Sequence, residues 1–146
     1  MRTIALRFGE TFSPKYGTIA AHQFIIDTLG YVWYGKLGTA VSAKIIEEMM
    51  QSADPKFLLI KSGKYERYWV HFKEVSKEKP TASEYPTYYN EKAEVMKTWF
   101  KVTSFELAPK DVMSHCYVTS SGKTLSEASR LSMSPYFIIE YREDKK

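Results

Sequence analysis

The sequence predicts an α+β fold in which a mixed β-sheet curls into a small barrel and two helices pack outside it. Six short segments have the alternating or continuously apolar pattern of β-strands. Two longer segments with helical signals separate the first three of these strands. The chain has 146 residues, which is enough for one domain with a real hydrophobic core. We expect that domain to span residues 1–142, followed by a frayed tail at 143–146.

The predicted strands occupy residues 3–8, 31–37, 57–60, 67–73, 98–107 and 136–141. A first helix is predicted over 18–29, with Thr18 as its cap and Gly30 at its end. A second helix begins after Ser42, and its apolar stripe consists of Ile45, Ile46, Met49 and Met50. A loop is predicted over 9–17, a turn at 62–64, a short helix over 112–116 and one helical turn over 125–129.

Composition limits the classes of protein to which the chain can belong. Aromatic residues make up 15% of the sequence, more than a core of this size needs, so we expect some of them to form a surface. The net charge of +4 permits a polyanionic partner without requiring one. The single cysteine, Cys116, excludes an internal disulfide. No apolar run approaches the length of a membrane span, and the first residues are not those of a signal peptide. We therefore expect a cytoplasmic protein with no membrane partner.

The most informative run is Tyr-Val-Trp-Tyr-Gly-Lys at residues 31–36. It places Trp33 and Tyr34 at the edge of a small sheet, beside a glycine and Lys36. An aromatic surface next to a positive charge suits a nucleobase with its phosphate. Trp33 also has a competing interpretation as a core side chain, the position that we expect for Trp69 and Trp99.

The segment 76–94 is the one long polar connection, and it carries the clustered aromatics Tyr85, Tyr88 and Tyr89. A connection of this length inside a compact domain is usually functional or disordered. We expect it to close over a pocket beside Trp33 and to supply an opposing aromatic wall.

Signals for catalysis are weak throughout the sequence. Neither Ser-Gly-Lys turn has the glycine spacing of a phosphate-binding loop, and no Gly-x-Ser-x-Gly elbow is present. His115 and Cys116 are adjacent, with no second pair at zinc spacing. Asp111 and His115 lie one helical turn apart, as an exposed polar pair often does. We therefore expect no catalytic site, no metal and no cofactor.

Four parts of the sequence resemble one known family. These are Leu6-Arg7-Phe8, Gly30-Tyr31-Val32-Trp33, the hairpin over 57–72, and Trp99-Phe100-Lys101-Val102 with the step at 107–109. Together with the order of elements, they are similar to the YTH/EVE branch of the PUA-like superfamily. The resemblance implies an aromatic cage that holds a modified or flipped base of DNA or RNA. It also implies that Trp33 is the first cage wall. The segment that should supply the second wall has tyrosines in place of tryptophan.

The leading hypothesis is a non-catalytic module that holds a modified or flipped nucleobase, with a protein partner supplying any downstream activity. One alternative is a small phage-type or defence-related inhibitor that acts by protein binding, and another is a nucleotide-processing enzyme. The predicted base-binding residues are Trp33, Tyr34, Ser62, Tyr85, Tyr88 and Tyr89. The predicted phosphate-binding residues are Lys36, Lys61, Lys64 and Arg67.

Overall fold

The computed structural model describes residues 1–8, 17–61, 66–90, 92–132 and 134–142. Its strands are β1 (Arg2–Phe8), β2 (Val32–Lys36), β3 (Lys56–Lys61), β4 (Arg67–Ser76), β5 (Thr98–Leu107), β6 (Cys116–Val118) and β7 (Tyr136–Tyr141). They form one seven-stranded sheet in the order β2-β5-β4-β3-β1-β7-β6. β1 and β3 pair in parallel, whereas β1 and β7 pair antiparallel, so the sheet is mixed. The predicted α+β class is confirmed; closure into a barrel stays a prediction.

Three α-helices accompany the sheet: α1 (Thr18–Leu29), α2 (Ala43–Met50) and α3 (Leu125–Leu131). Gly17, and not Thr18, is the N-cap residue of α1, because Thr18 already has helical geometry. Gly30 ends α1 as predicted, in the left-handed conformation that suits glycine. Ser42 caps α2 as predicted, since its hydroxyl accepts a hydrogen bond from the backbone N–H of Ile45 at 3.3 Å.

The core lies on both faces of the sheet because strand side chains alternate. In β1, Ile4, Leu6 and Phe8 belong to a core cluster against which partly buried residues of α1 and α2 pack. Ala5 belongs to a second cluster on the opposite face, which α3 and the residues before β6 cover. Trp69 is part of this second cluster, as predicted.

Several parts of the chain differ from the prediction. The helical turn predicted over 125–129 extends to Leu131, so three α-helices and not two accompany the sheet. Residues 112–116 do not form one helix: a 3-10 helix spans Val112–His115, and the chain then enters β6. The segment 76–94 is structured over much of its length, with 3-10 helices at Ala82–Glu84, Thr87–Tyr89 and Ala93–Val95. The predictions for residues 9–16, for the turn at 62–64 and for the tail at 143–146 concern residues outside those described.

Candidate functional site

Consecutive residues of β2 face opposite sides of the sheet. Val32 and Tyr34 belong to the core cluster beneath α1 and α2, which we call the inner face. Trp33 packs instead against a cluster on the outer face. Gly35 shares that outer face, because a Cβ atom built there would collide with the Met96 sulfur and lie 2.9 Å from the Trp99 ring. The aromatic run at 31–36 is therefore divided between two surfaces.

On the inner face, a cavity of about 490 Å³ opens between the end of β1, the end of β2 and the start of β7. Its size is within the range of about 300–1,000 Å³ that is typical of small-molecule pockets. The aromatic residues that line it are Tyr34, Tyr88, Tyr89 and Tyr136. The basic residues are Arg7, Lys36 and Lys92, and none of the described lining residues is acidic. We refer to it as the tyrosine cavity.

The wall beneath the tyrosine cavity is held by His22, a fully buried residue of α1. Its Nδ1 lies 2.8 Å from the carbonyl oxygen of Thr18, and a carbonyl only accepts, so Nδ1 carries the proton. Burial lowers the pKa of His22 to about 4, so the ring is neutral near pH 7 and Nε2 is an acceptor. The Tyr89 hydroxyl, 2.7 Å away, therefore donates to Nε2. This pair fixes the position of the Tyr89 ring.

Burial also keeps two wall tyrosines protonated. It raises the pKa of Tyr34 and raises that of Tyr89 well above the usual value. The His22 ring lies 5.1 Å from the Tyr34 ring and 5.3 Å from the Tyr89 ring, between centroids. The wall is thus neutral and aromatic, and the partly exposed rings of Tyr88 and Tyr136 in the same lining can stack on a flat ligand.

Lys36 is a buried cation at the rim of the tyrosine cavity, with only 6% of its surface exposed. Its Nζ donates to the backbone carbonyl oxygens of Leu37, at 3.2 Å, and Thr39, at 2.5 Å. It lies 4.3 Å from the centroid of the Tyr136 ring. Burial lowers the pKa of Lys36, and no carboxylate among the described residues forms an ion pair with it.

The outer face of β2 forms a packed aromatic cluster. Trp99 is fully buried there, with the Tyr85 ring 5.2 Å and the Tyr89 ring 5.9 Å from it, between centroids. Trp33 is half-buried at its margin, 6.0 Å from Nζ of Lys101. The contacts of Trp99 and Tyr85 are those of a core that attaches the segment 82–96 to the sheet.

The sequence matches the Pua-like family over residues 4–140, which is most of the chain. The chain belongs to the Pua-like family. Pua-like domains generally bind nucleic acids or modified bases. No curated protein and no solved structure matches the sequence. Membership of the YTH/EVE branch within this family stays a prediction.

In this Pua-like domain, four of the predicted site residues line one cavity: Tyr34, Lys36, Tyr88 and Tyr89. Their grouping depends on the 3-10 helix at Thr87–Tyr89, which turns Tyr88 and Tyr89 toward β2. Trp33 and Tyr85 are not among the described lining residues, although both belong to the cluster around Trp99 to which Tyr88 and Tyr89 also belong. Their role as cage walls stays a prediction.

The remaining predicted residues lie elsewhere or outside the description. Lys61 pairs with Glu66 at 3.8 Å, and Nε of Arg67 contacts the Met113 sulfur at 2.9 Å. Neither is among the lining residues described for the tyrosine cavity. Ser62 and Lys64 lie outside the described residues.

Four residues of the site were not predicted from the sequence: Arg7, His22, Lys92 and Tyr136. Arg7 and Tyr136 come together through the β1–β7 pairing, in which Leu6 is opposite Tyr136. Pairing between strands that lie far apart in the sequence leaves no local sequence pattern from which it could be predicted. His22 does have a local signal, since it directly follows the apolar residues Ile19, Ala20 and Ala21, one turn after Thr18.

Other chemistry in the described part of the chain is limited. Those residues contain no group of three or more metal-ligating side chains placed to hold an ion. Cys116 is buried, and burial raises the pKa of its thiol to about 12. Asp111 and His115 form the expected exposed pair, at 3.2 Å. No helix in the described ranges is long and apolar enough to cross a membrane.

Proposed function

We propose that this Pua-like domain binds nucleic acid by taking one base, flipped or unstacked and carrying a small modification, into the tyrosine cavity. The observation that carries the proposal is the grouping of Tyr34, Tyr88, Tyr89 and Lys36 around one opening of about 490 Å³. A base that leaves its stack loses stacking energy, and aromatic walls restore about 1–3 kcal/mol per base. A methyl group buried in the same cavity adds about 0.8 kcal/mol.

The function that we propose is binding without chemistry. The described lining residues offer no carboxylate, and the one histidine near them, His22, has both ring nitrogens in hydrogen bonds. A general base needs a free acceptor within reach of the proton that it removes. This arrangement favours a module that recognises a base and leaves any reaction to a partner.

The test is a titration with matched single-stranded oligonucleotides, with and without N6-methyladenine or 5-methylcytosine, followed by fluorescence anisotropy. We expect one modified strand to bind more tightly than its unmodified partner by roughly 1–2 kcal/mol, since a single small group distinguishes them. We also expect the affinity to fall steeply as salt rises, because phosphate contacts release counterions. The absence of binding to every strand at low salt would contradict the proposal.

A second candidate function is protein binding, and one observation favours it. Phe24 on α1 is 73% exposed and borders an apolar groove of about 550 Å³ between α1 and residues 82–88. Exposed aromatic side chains in apolar grooves are typical of protein interaction sites. A partner that binds there would do so with little salt dependence, which separates this candidate from nucleic-acid binding.

A further inference from the structure

Lys36 is a nearly buried cation for which the described residues offer no opposite charge. A charged group that leaves water needs an opposite charge or a full set of hydrogen bonds. Lys36 is nearly buried, and its ammonium group has three donors. Two of them meet the carbonyl oxygens of Leu37 and Thr39, and the face of the Tyr136 ring lies beside the group. Among the described residues it has no carboxylate partner.

The other charges at the same cavity have the same sign. Arg7 and Lys92 line it together with Lys36, and no described lining residue is acidic. The Arg7 guanidinium is held in place by the backbone carbonyl oxygens of Ser129, at 3.1 Å, and Ser132, at 3.3 Å. Basic side chains that line one opening attract an anionic group of a ligand.

We propose that the end of the tyrosine cavity bounded by Arg7, Lys36, Lys92 and Tyr136 is a phosphate subsite, so that the cavity takes a nucleotide unit and not a base alone. That the cavity takes a base rests on the proposed function, whereas the phosphate subsite does not depend on it. The Lys36 ammonium contacts a phosphate oxygen, and Arg7 and Lys92 flank it. The phosphate belongs either to a polynucleotide next to the flipped base or to a free nucleotide.

This subsite differs from a basic surface patch. Exposed lysines hold phosphates loosely, and salt screens them readily. Lys36 is shielded from solvent, so its contact with phosphate is screened less. The consequence is a ligand preference inside the cavity: a nucleoside monophosphate binds more tightly than the corresponding nucleoside.

The experiment is an NMR titration of the wild-type domain with three probes: inorganic phosphate, adenosine and adenosine 5′-monophosphate. We expect inorganic phosphate to shift the backbone signals of Lys36 and Tyr136 until the shifts reach a plateau. We expect the monophosphate to bind about tenfold more tightly than adenosine, since a hydrogen bond to a charged group has this effect on affinity. A trideoxyadenylate strand identifies the source of the phosphate, because it binds more tightly than the monophosphate only if the partner is a polynucleotide.

Two variants and a control complete the test. Lys36→Met keeps the aliphatic stem and removes the charge, so the tenfold preference should disappear while adenosine binding stays unchanged. Lys36→Arg should restore part of the preference, and Lys110→Met, at an exposed position outside the cavity lining, should leave it intact. Equal binding of adenosine and its monophosphate to the wild type would overturn the phosphate subsite and leave the base site standing. Saturating shifts from phosphate without any adenosine binding would overturn the base site and leave the phosphate subsite standing.

Discussion

The two faces of β2 are built from consecutive residues, yet they differ in what they contact. On the outer face, Trp33 and Gly35 adjoin the packed cluster around Trp99. On the inner face, Tyr34 and Lys36 border an open cavity with cations at its rim. The outer face is thus covered by Tyr85, Ala93 and Trp99, whereas Tyr88 and Lys92 of the segment 82–96 border the open cavity. A run of aromatic residues does not by itself form a binding surface, because the pleat of the strand divides it.

The largest expected effect concerns the outer face. Trp99→Ala should lower the free energy of unfolding by about 3–5 kcal/mol, because a fully buried tryptophan leaves a cavity that the surroundings cannot fill. The matched control is Trp33→Ala, which removes the same side chain from a half-buried position and should cost no more than about 2 kcal/mol. Urea denaturation of both variants measures the difference. A loss of no more than about 2 kcal/mol in Trp99→Ala as well would mean that the outer face is not a core.

A slightly smaller effect concerns the support of the inner face. The folded-state pKa of His22, about 4, lies below its ordinary value of 6.5, so the unfolded chain binds more protons between these values. The stability that this residue contributes is complete above about pH 6.5 and is lost as the pH falls toward 4, by roughly 3 kcal/mol.

Urea denaturation at several pH values, compared between the wild type and His22→Asn, measures the pH-dependent stability that His22 contributes. Between pH 6.5 and pH 4, the free energy of unfolding of the variant should fall less steeply, because the contribution of the histidine is missing. If both proteins lose stability in parallel over that range, His22 is not the buried neutral ring on which the wall of the tyrosine cavity depends.

Much of the fold could be predicted from the sequence because its strands alternate clearly. The exception is β6, whose three residues are too few for a periodic signal and are fixed by pairing with β7. Ser42 and Gly30 could be identified as helix ends because capping depends on local chemistry.

The site was less predictable because it depends on contacts between distant parts of the chain. Tyr34 and Lys36 could be selected from their own strand, but Tyr136 reaches the cavity only through the β1–β7 register. Within the long segment, Tyr88 lines the cavity, whereas the Tyr85 ring packs against the Trp99 ring. Sequence proximity could not separate these two tyrosines.

The central claim is that the base binds on the inner face of β2 and not beside Trp33. The most direct measurement compares the affinity of the tightest-binding modified oligonucleotide for Tyr88→Ala, Trp33→Ala and the distant control Tyr117→Ala, with folding checked by circular dichroism. We predict a loss of about tenfold or more for Tyr88→Ala, since one stacking wall is removed, and a change of less than about threefold for the other two. A large loss in Trp33→Ala with an unchanged affinity in Tyr88→Ala would contradict the claim and place the base on the outer face.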